Sequence, residues 1–399
     1  MTTNGLNQQG QKERNLSIII NRILREKGCT RAGLAREIGL TPAAVGKLTS
    51  ELISWGMVEE TESNTSGRGR NPIQLRINEE YQAIAIRINI GYVKFAVYNM
   101  GGQNLYYNNI ITPNKLSPTE TLNLINSEIE DIIFNKHFCP ICIGVAVIGP
   151  FNCNTGTIAE ISGLSGWGKI NIKEELSRHF NIPVFVEHDA NCGAMAELMY
   201  GDYPLNCNML FVASDSGTGA GIIINGAIYR GFLGYAGEIG HASINVFGEK
   251  CECGNNGCME IYGSVLALQK AYRRRLFNPL KGVPKESDYS IDHILRLVNN
   301  GDPIAQQEYI NAVSYMTFGV ASIIHILNPE YVVFADSITK GGSLFLETVN
   351  TTLQKYLEDE LYNNTKIKVC ALEGDPMLAG AAVNAFEHLM RTPTAFFKR

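Results

Sequence analysis

Between residues 14 and 54 apolar side chains recur every three or four positions, whereas beyond residue 81 they gather into short continuous runs. The first rhythm is that of amphipathic helices and the second that of buried strands. In RNLSIIINRILREK (14–27), Leu16, Ile19, Ile20, Ile23 and Leu24 share one helical face, and Gly28 stops the run. A second helix is expected over Arg31–Ile38, with Leu34, Ala35 and Ile38 inward and Gly39 as the turn. Thr41-Pro42 supplies a cap and a first-turn proline for a third helix to about Ser54, with Val45, Leu48 and Leu52 buried. The stretch after Gly56 turns into a strand, SNTSGRGRNP (63–72) is a polar basic loop, and Ile73–Ile77 alternates as the returning strand. Short helix, Gly turn, capped helix and basic hairpin together predict a winged helix-turn-helix over residues 1–78.

The rest of the chain reads as α/β. YQAIAIRINIGYVKFAVYNMGG (81–102) is a strand hairpin, and ICIGVAVIGP (141–150) a buried strand ending in a Gly-Pro turn. A helix near 173–180 precedes the strand IPVFVEHDA, and MLFVASDSGTGAGIIINGAIY (209–229) reads as two strands around a Gly-rich turn. YVVFADS (331–337) is a late strand and LAGAAVNAFEHLM a closing helix. Strand, Gly-rich turn and strand occurring twice predict a duplicated two-lobed sheet fold with a cleft between the lobes. The expected division is a head over 1–78, a first lobe over 79–190 joined by the terminal helix 383–399, and a second lobe over 191–382 carrying the dimerisation surface.

Charge sharpens the division. The net charge of −5 conceals a head with 11 Lys/Arg against 7 Asp/Glu and a remainder with 23 against 32. Only the head suits a polyanion. Arg31, Thr41, Ala43, Ala44, Lys47 and Thr49 are the candidates for the major groove of double-stranded DNA, with Arg68 and Arg70 on phosphates or in the minor groove. One head buries little surface, so a palindromic operator read by a homodimer or tetramer is expected. At 399 residues with 45% apolar and 18% charged residues, the composition excludes disordered and fibrous classes. No apolar run reaches the roughly 18 residues of a membrane span, and the polar N-terminus lacks a secretory core, so a cytoplasmic protein with no membrane partner is expected.

In a reducing compartment, three of the ten cysteines within eight residues point to a metal. Cys251, Cys253 and Cys258 supply three thiolates, Gly254 and Gly257 let the backbone wrap, and His241 is the candidate fourth ligand for a structural Zn²⁺. Cys139 and Cys142 begin an apolar strand and read as core or turn residues. Asp189 ends a strand, where it can face the cleft or cap the next helix.

The motifs HDAN (188–191), GTGAG (217–221), GEIGH (237–241) and CECGNNGCME (251–260) stand in an order and spacing that resembles the ROK family of sugar kinases and repressors. The head, with TRAGLAREIGLTPAAVGKL and GRGRNP, looks like that of the family's transcriptional regulators. The resemblance implies an actin-like ATPase body with hexokinase-type lobes, a zinc ligated by His241 and the three cysteines, and a sugar in the cleft. It also implies that Asp189, Glu238, His241 and Glu260 touch that sugar, with His188 standing where many family kinases carry a sugar-binding Asn.

Two departures bear on catalysis. Kinases of the family open the body with an Asp-x-Gly-x-Thr turn, where this chain has Asn89-Ile90-Gly91-Tyr92-Val93-Lys94. Their late Gly-Gly is replaced by Ala335-Asp336-Ser337. Phosphoryl transfer depends on positioning and metal electrostatics, so the expectation is a sugar sensor with no enzymatic activity, Asp189 being the vestigial base position. The alternatives are an active sugar kinase with an appended head, and a regulator that answers to a protein partner. Replacing both Arg68 and Arg70 with Ala is expected to weaken DNA binding and to lower the salt slope by up to about 0.9 for each phosphate no longer neutralised. An unchanged slope in binding titrations would put the wing away from the DNA.

Overall fold

The computed structural model describes residues 8–26, 28–62, 73–112, 117–152, 155–158, 166–215, 217–277 and 284–397. At the N-terminus stand α1 (Gln8–Arg25), α2 (Arg31–Ile38) and α3 (Pro42–Ser54). Thr30 and Thr41 cap the second and third of these by accepting from Gly33 and Ala44 backbone N–H groups. Gly39 turns the chain between them at φ 67°, a left-handed conformation that glycine adopts without a Cβ clash. Strands β1 (Val58–Glu62) and β2 (Ile73–Ile77) pair antiparallel beside them. The loop between the strands, with Arg68 and Arg70, lies outside the described residues. Thr49 departs from expectation: it is fully buried, and its hydroxyl donates to the Val45 carbonyl while accepting from Arg31 Nε. A short hydroxyl side chain on the inner stripe of α3 satisfies itself on the preceding turn, so it has no part on the outer face.

The body contains the same sheet twice. In the first, β3 (Gln82–Asn89), β4 (Tyr92–Asn99), β5 (Asn104–Ile111), β6 (Pro140–Val147) and β9 (Val184–His188) take the order β5-β4-β3-β6-β9, with a small pair β7 (Phe151–Asn152) and β8 (Thr157–Ile158) beyond. In the second, β10 (Met209–Ser214), β11 (Thr218–Ile224), β12 (Ala227–Ile228), β13 (Tyr331–Ala335) and β14 (Lys366–Val369) take the order β12-β11-β10-β13-β14. Each begins with an antiparallel meander and adds two parallel strands on the far side of its first strand. The duplicated two-lobed body is therefore present in the topology itself. The GTGAG glycines, read as the turn, lie mostly within β11; the turn precedes them.

The first sheet is covered on one face by α4 (Pro118–Glu130) and α5 (Ile172–Phe180). On the second, α7 (Glu260–Gly263), α8 (Val265–Leu276), α9 (Ile291–Asn299), α10 (Pro303–Leu327), α11 (Ser343–Tyr356) and α12 (Asp359–Asn364) build a helical layer. Helix α10 is long and apolar enough to cross a membrane by length and composition, which the sequence reading did not anticipate. Here it packs against α7, α8, α9 and α11, with Tyr309, Val313, Met316 and Val320 buried.

Between the lobes run α6 (Asp189–Tyr200) and α13 (Pro376–Arg391), followed by the short α14 (Pro393–Phe397). Helix α6 touches α13 on one side and β10 and β11 on the other, and α13 lies on β3, β6 and β9. The closing helix thus begins two residues before the expected LAGAAVNAFEHLM run and seven before the expected lobe boundary at 383. Both interfaces are backbone-close. A Cβ on Gly144 of β6 would sit 1.9 Å from the Ala381 carbonyl oxygen, and one on Gly380 would sit 1.7 Å from that of Cys192. Strand, α13 and α6 stack through these glycines, and one continuous core runs from Leu16 and Ile20 of the head through Ala83 and Ala146 to Ala382 and Leu389. Gly144→Ala is expected to destabilise the chain by about 1–3 kcal/mol by overpacking, read as a lower urea midpoint. An unchanged midpoint would mean that α13 does not seat on β6 this closely.

Candidate functional site

The parallel strand β9 runs out at His188, and Asp189 is the first residue of α6. That puts a carboxylate at the carboxyl end of a parallel strand, the end at which α/β sheets characteristically bind ligands. Glu238 enters from the second lobe, just ahead of a single 3₁₀ turn over Ile239–His241. Gly237 holds φ 96°, and a Cβ there would meet the Ala220 carbonyl at 1.9 Å, so the GEIGH turn needs glycine to lie against β11. His188 Nε2 stands 3.6 Å from Asp189 Oδ1 and 3.7 Å from Glu238 Oε1. Burial raises the Glu238 pKa, opposed by His188 and His241. Gly149 closes this group from below: a Cβ there would come within 2.1 Å of Glu238 Oε1 and 2.6 Å of His188 Nε2. The sequence reading passed over Gly149 as a turn residue. Gly219 of β11 lies beside His188 and Gly221 against Ala190, which gives the GTGAG glycines a packing role at this site.

Glu260, at the start of α7, lies next to His241, and its Oε1 is 3.1 Å from His241 Nδ1. Cys251 Sγ is 3.8 Å from the same nitrogen, and Cys253 and Cys258 are 3.5 Å apart. One ligand atom from each of His241, Cys251, Cys253 and Cys258 falls within 4.8 Å of the others. A tetrahedral ion with Zn–S bonds of about 2.3 Å would separate its sulfurs by about 3.8 Å, so the donor set fits. Gly254 and Gly257, at φ 96° and 68°, turn the loop around this point, and Gly257 sits so close to Asn245 that a Cβ would overlap its carbonyl. The hydrogen bond with Glu260 raises the His241 pKa to about 9 in the metal-free chain. Cys253 is held below the usual thiol value: burial opposes this, but the Asn255 N–H and the neighbouring thiols outweigh it. Ligation requires a neutral imidazole and thiolates, so metal binding here would release protons.

The third group was not foreseen. Arg87 sits in the apolar strand QAIAIRIN, 2% exposed. Its Nη1 donates to Asp375 Oδ2 at 3.0 Å, and its Nη2 reaches Asp189 Oδ2 at 3.4 Å and Asp336 Oδ2 at 3.3 Å. Lys94 Nζ adds a 2.7 Å bond to Asp375, which also caps α13 by accepting from Met377 and Leu378. Burial disfavours the guanidinium charge, yet Asp375 and Asp336 outweigh it and raise the Arg87 pKa well above its ordinary value. Asp336 is driven the other way: burial first, relieved by Arg87 but reinforced by Asp215, Asp375 and Asp189, raises it to about 6. Asn89 donates to the Tyr92 hydroxyl at 2.8 Å, and Val93 and Ala335 are buried. The Tyr92 ring lies under Lys94, 4.8 Å from Nζ to centroid. The available signal was Arg87 itself, because an arginine in a buried strand must be paired.

On the head, Thr41, Ala43 and Lys47 are exposed and Ala44 half-exposed along the outer face of α3. Arg31 is engaged with Thr49 and Glu60.

The fold and this cleft define a class: an actin-like, kinase-type α/β body with a helical N-terminal region. The chain belongs to the ROK family, whose family model matches residues 83–387. It is 27% identical over 393 residues to a xylose repressor of Caldicellulosiruptor bescii, covering 96% of this chain and 98% of that protein. It is 29% identical over 350 residues to the DNA-binding transcriptional dual regulator NagC of Escherichia coli K12, covering 84% of each. Among solved structures, a ROK family transcriptional regulator described as a homolog of the E. coli MLC protein superposes with a TM-score of 0.81 at 24% identity, covering 97% of this chain and 99% of that one. A ROK family glucokinase from Streptomyces griseus, solved with glucose and AMPPNP, matches 77% of this chain and 99% of its own at a TM-score of 0.68 and 22% identity.

Elemental analysis of protein purified without chelator is expected to find about one zinc per chain, as a closed four-ligand site binds. Cys253→Ser should reduce that content and lower thermal stability. Metal-free wild-type protein would refute the site.

Proposed function

We propose that the chain is a sugar-responsive, DNA-binding transcriptional regulator, a repressor of carbohydrate-utilisation genes that a sugar in the inter-lobe cleft releases from its operator. One observation carries this reading. His188, Asp189 and Glu238, which the family resemblance makes sugar-facing, lie together, and Asp189 also touches a buried ion group of Arg87, Asp336, Asp375 and Lys94 that has no need of a nucleotide. Relatives described as a xylose repressor and, in Escherichia coli O6:H1, an N-acetylglucosamine repressor support it.

In this reading the head is a winged helix-turn-helix. Thr41, Ala43, Ala44 and Lys47 on α3 meet the major groove, Arg31 supports α3 from beneath, and Arg68 and Arg70 extend the wing. Two heads of a homodimer read a palindromic operator in the cytoplasm. A structural Zn²⁺ on His241, Cys251, Cys253 and Cys258 fixes the Glu260 loop, so that Glu260 and Glu238 are pre-organised to accept sugar hydroxyls. Asp189, held by Arg87, accepts a sugar hydrogen bond and abstracts no proton.

The head is joined to the body by packing as well as by chain. Tyr81 packs edge-on against Phe397 at 5.2 Å and donates to the Trp55 carbonyl, and Thr394 bonds Glu13 of α1. Lobe closure around a sugar therefore reorients two heads relative to each other. The coupling available from such closure is typically about 1–3 kcal/mol.

Glu238→Ala tests the assignment. The variant is expected to bind operator DNA like the wild type and to keep hold of it when the sugar that releases wild type is added. Sugar-induced release from the variant would refute the cleft. Sugar-dependent ATP turnover by the wild type near about 10 s⁻¹, the median for enzymes, would favour the kinase reading instead.

A further inference from the structure

The second lobe holds a cavity of about 460 Å³ between α10 and α11, its wall completed by Asn245 and by Tyr262 of α7. That volume falls within the roughly 300–1,000 Å³ usual for small-molecule sites. None of His188, Asp189, Glu238, His241 and Glu260 lines it.

Its walls are aromatic. Tyr262 and Tyr315 lie with ring centroids 5.2 Å apart and planes tilted by 37°, and Phe318 meets Tyr356 edge-on at 4.8 Å. The Tyr262 hydroxyl accepts from the Glu249 N–H at 2.9 Å, and it passes over Gly248, where a Cβ would fall 2.1 Å from that oxygen. Tyr315 and Tyr356 keep 48% and 41% of their surface exposed, so both can offer a ring to a ligand. Aromatic rings favour another ring, stacked or edge-on.

Charge narrows the ligand further. Lys355 is the one charged side chain on the lining, and no carboxylate stands there. Its Nζ lies over the Tyr356 ring, 5.0 Å from the centroid. A lining with a lone cation favours an anion, because a hydrogen bond between ionised partners is about twice as strong as a neutral one. Asn311 Oδ1 accepts from Gln307 Nε2 at 3.1 Å, so the amide offers its donors, and Ser314 adds a hydroxyl.

We propose that this cavity is a second ligand site that takes a small organic anion built on a ring, the ring against Tyr315 and Tyr356 and the anionic group on Lys355. The site is separate from the inter-lobe cleft and does not depend on what the cleft binds. It shares a wall with the cysteine loop: Asn245 lies against Gly257, and Tyr262 follows Glu260 by one turn of α7.

Three probes carry this chemistry and separate its sources: benzoate for aromatic acids, AMP for nucleotides and glucose 6-phosphate for sugar phosphates. Each is titrated calorimetrically into the full-length protein beside its neutral counterpart, benzamide, adenosine or glucose. At least one anion should bind, tighter than its counterpart by about tenfold or more, the usual worth of a hydrogen bond to a charged group. Lys355→Met keeps the apolar stem and should erase that preference. Ser314→Trp fills the cavity and should abolish binding, with both variants melting as the wild type does. Failure of all three anions to bind overturns the inference. So does an anion that binds both variants as it binds wild type, because its site then lies elsewhere. If Ser314→Trp instead dissociates a wild-type dimer in sedimentation, a second copy covers the cavity and the ligand site falls.

Discussion

A buried arginine can be tolerated only if its charge is met, and Arg87 imposes that condition on the whole body. An ionised group taken from water without a partner costs several kcal/mol, so the strand that carries Arg87 requires carboxylates around it. Asp189 comes from the start of α6, Asp336 from the end of β13 in the second lobe, and Asp375 from the cap of α13. Four separate elements are thus drawn to one point. Such a network adds modestly to stability, because desolvation offsets much of the attraction. Its larger consequence is positional, since removing any one partner leaves the remaining charges buried and unbalanced.

Helix α13 carries that consequence outward. Its first turn is fixed by Asp375 at the cleft, its middle is seated through glycines on β6 and α6, and beyond its last turn α14 meets the head. Sixteen residues at about 1.5 Å each make a rod of about 24 Å between cleft and head. The Arg87–Asp336 pair crosses from first lobe to second, while the Arg87–Asp375 pair holds the rod, so lobe arrangement and head support share a single guanidinium. A ligand biases the head only as far as it prefers one lobe arrangement over another.

The cysteine loop works by a different physical principle. Its glycines take left-handed conformations, and Gly257 comes against neighbouring backbone where no side chain fits, so four donors converge and Glu260 is left against His241. One loop thereby brings four candidate metal donors together and sets Glu260 beside them, with His241 touching both.

Much of this was legible in the chain. The helical periodicity and caps of the head, the strand runs of the duplicated sheet and the cysteine spacing are local patterns, because each element is stabilised by residues within a few positions of one another. Other features were not. The partners of Arg87 lie 102, 249 and 288 residues away, a separation that no window along the sequence can span. Gly149 and the GTGAG glycines looked like turn residues until the neighbours that forbid a Cβ were in place. Thr49 looked exposed by helical position until Arg31 and the Val45 carbonyl enclosed its hydroxyl. Local periodicity and ligand spacing determined the elements and the metal loop. Only the tertiary structure decided which buried charges meet, because electrostatic pairing depends on distance in space and not along the chain.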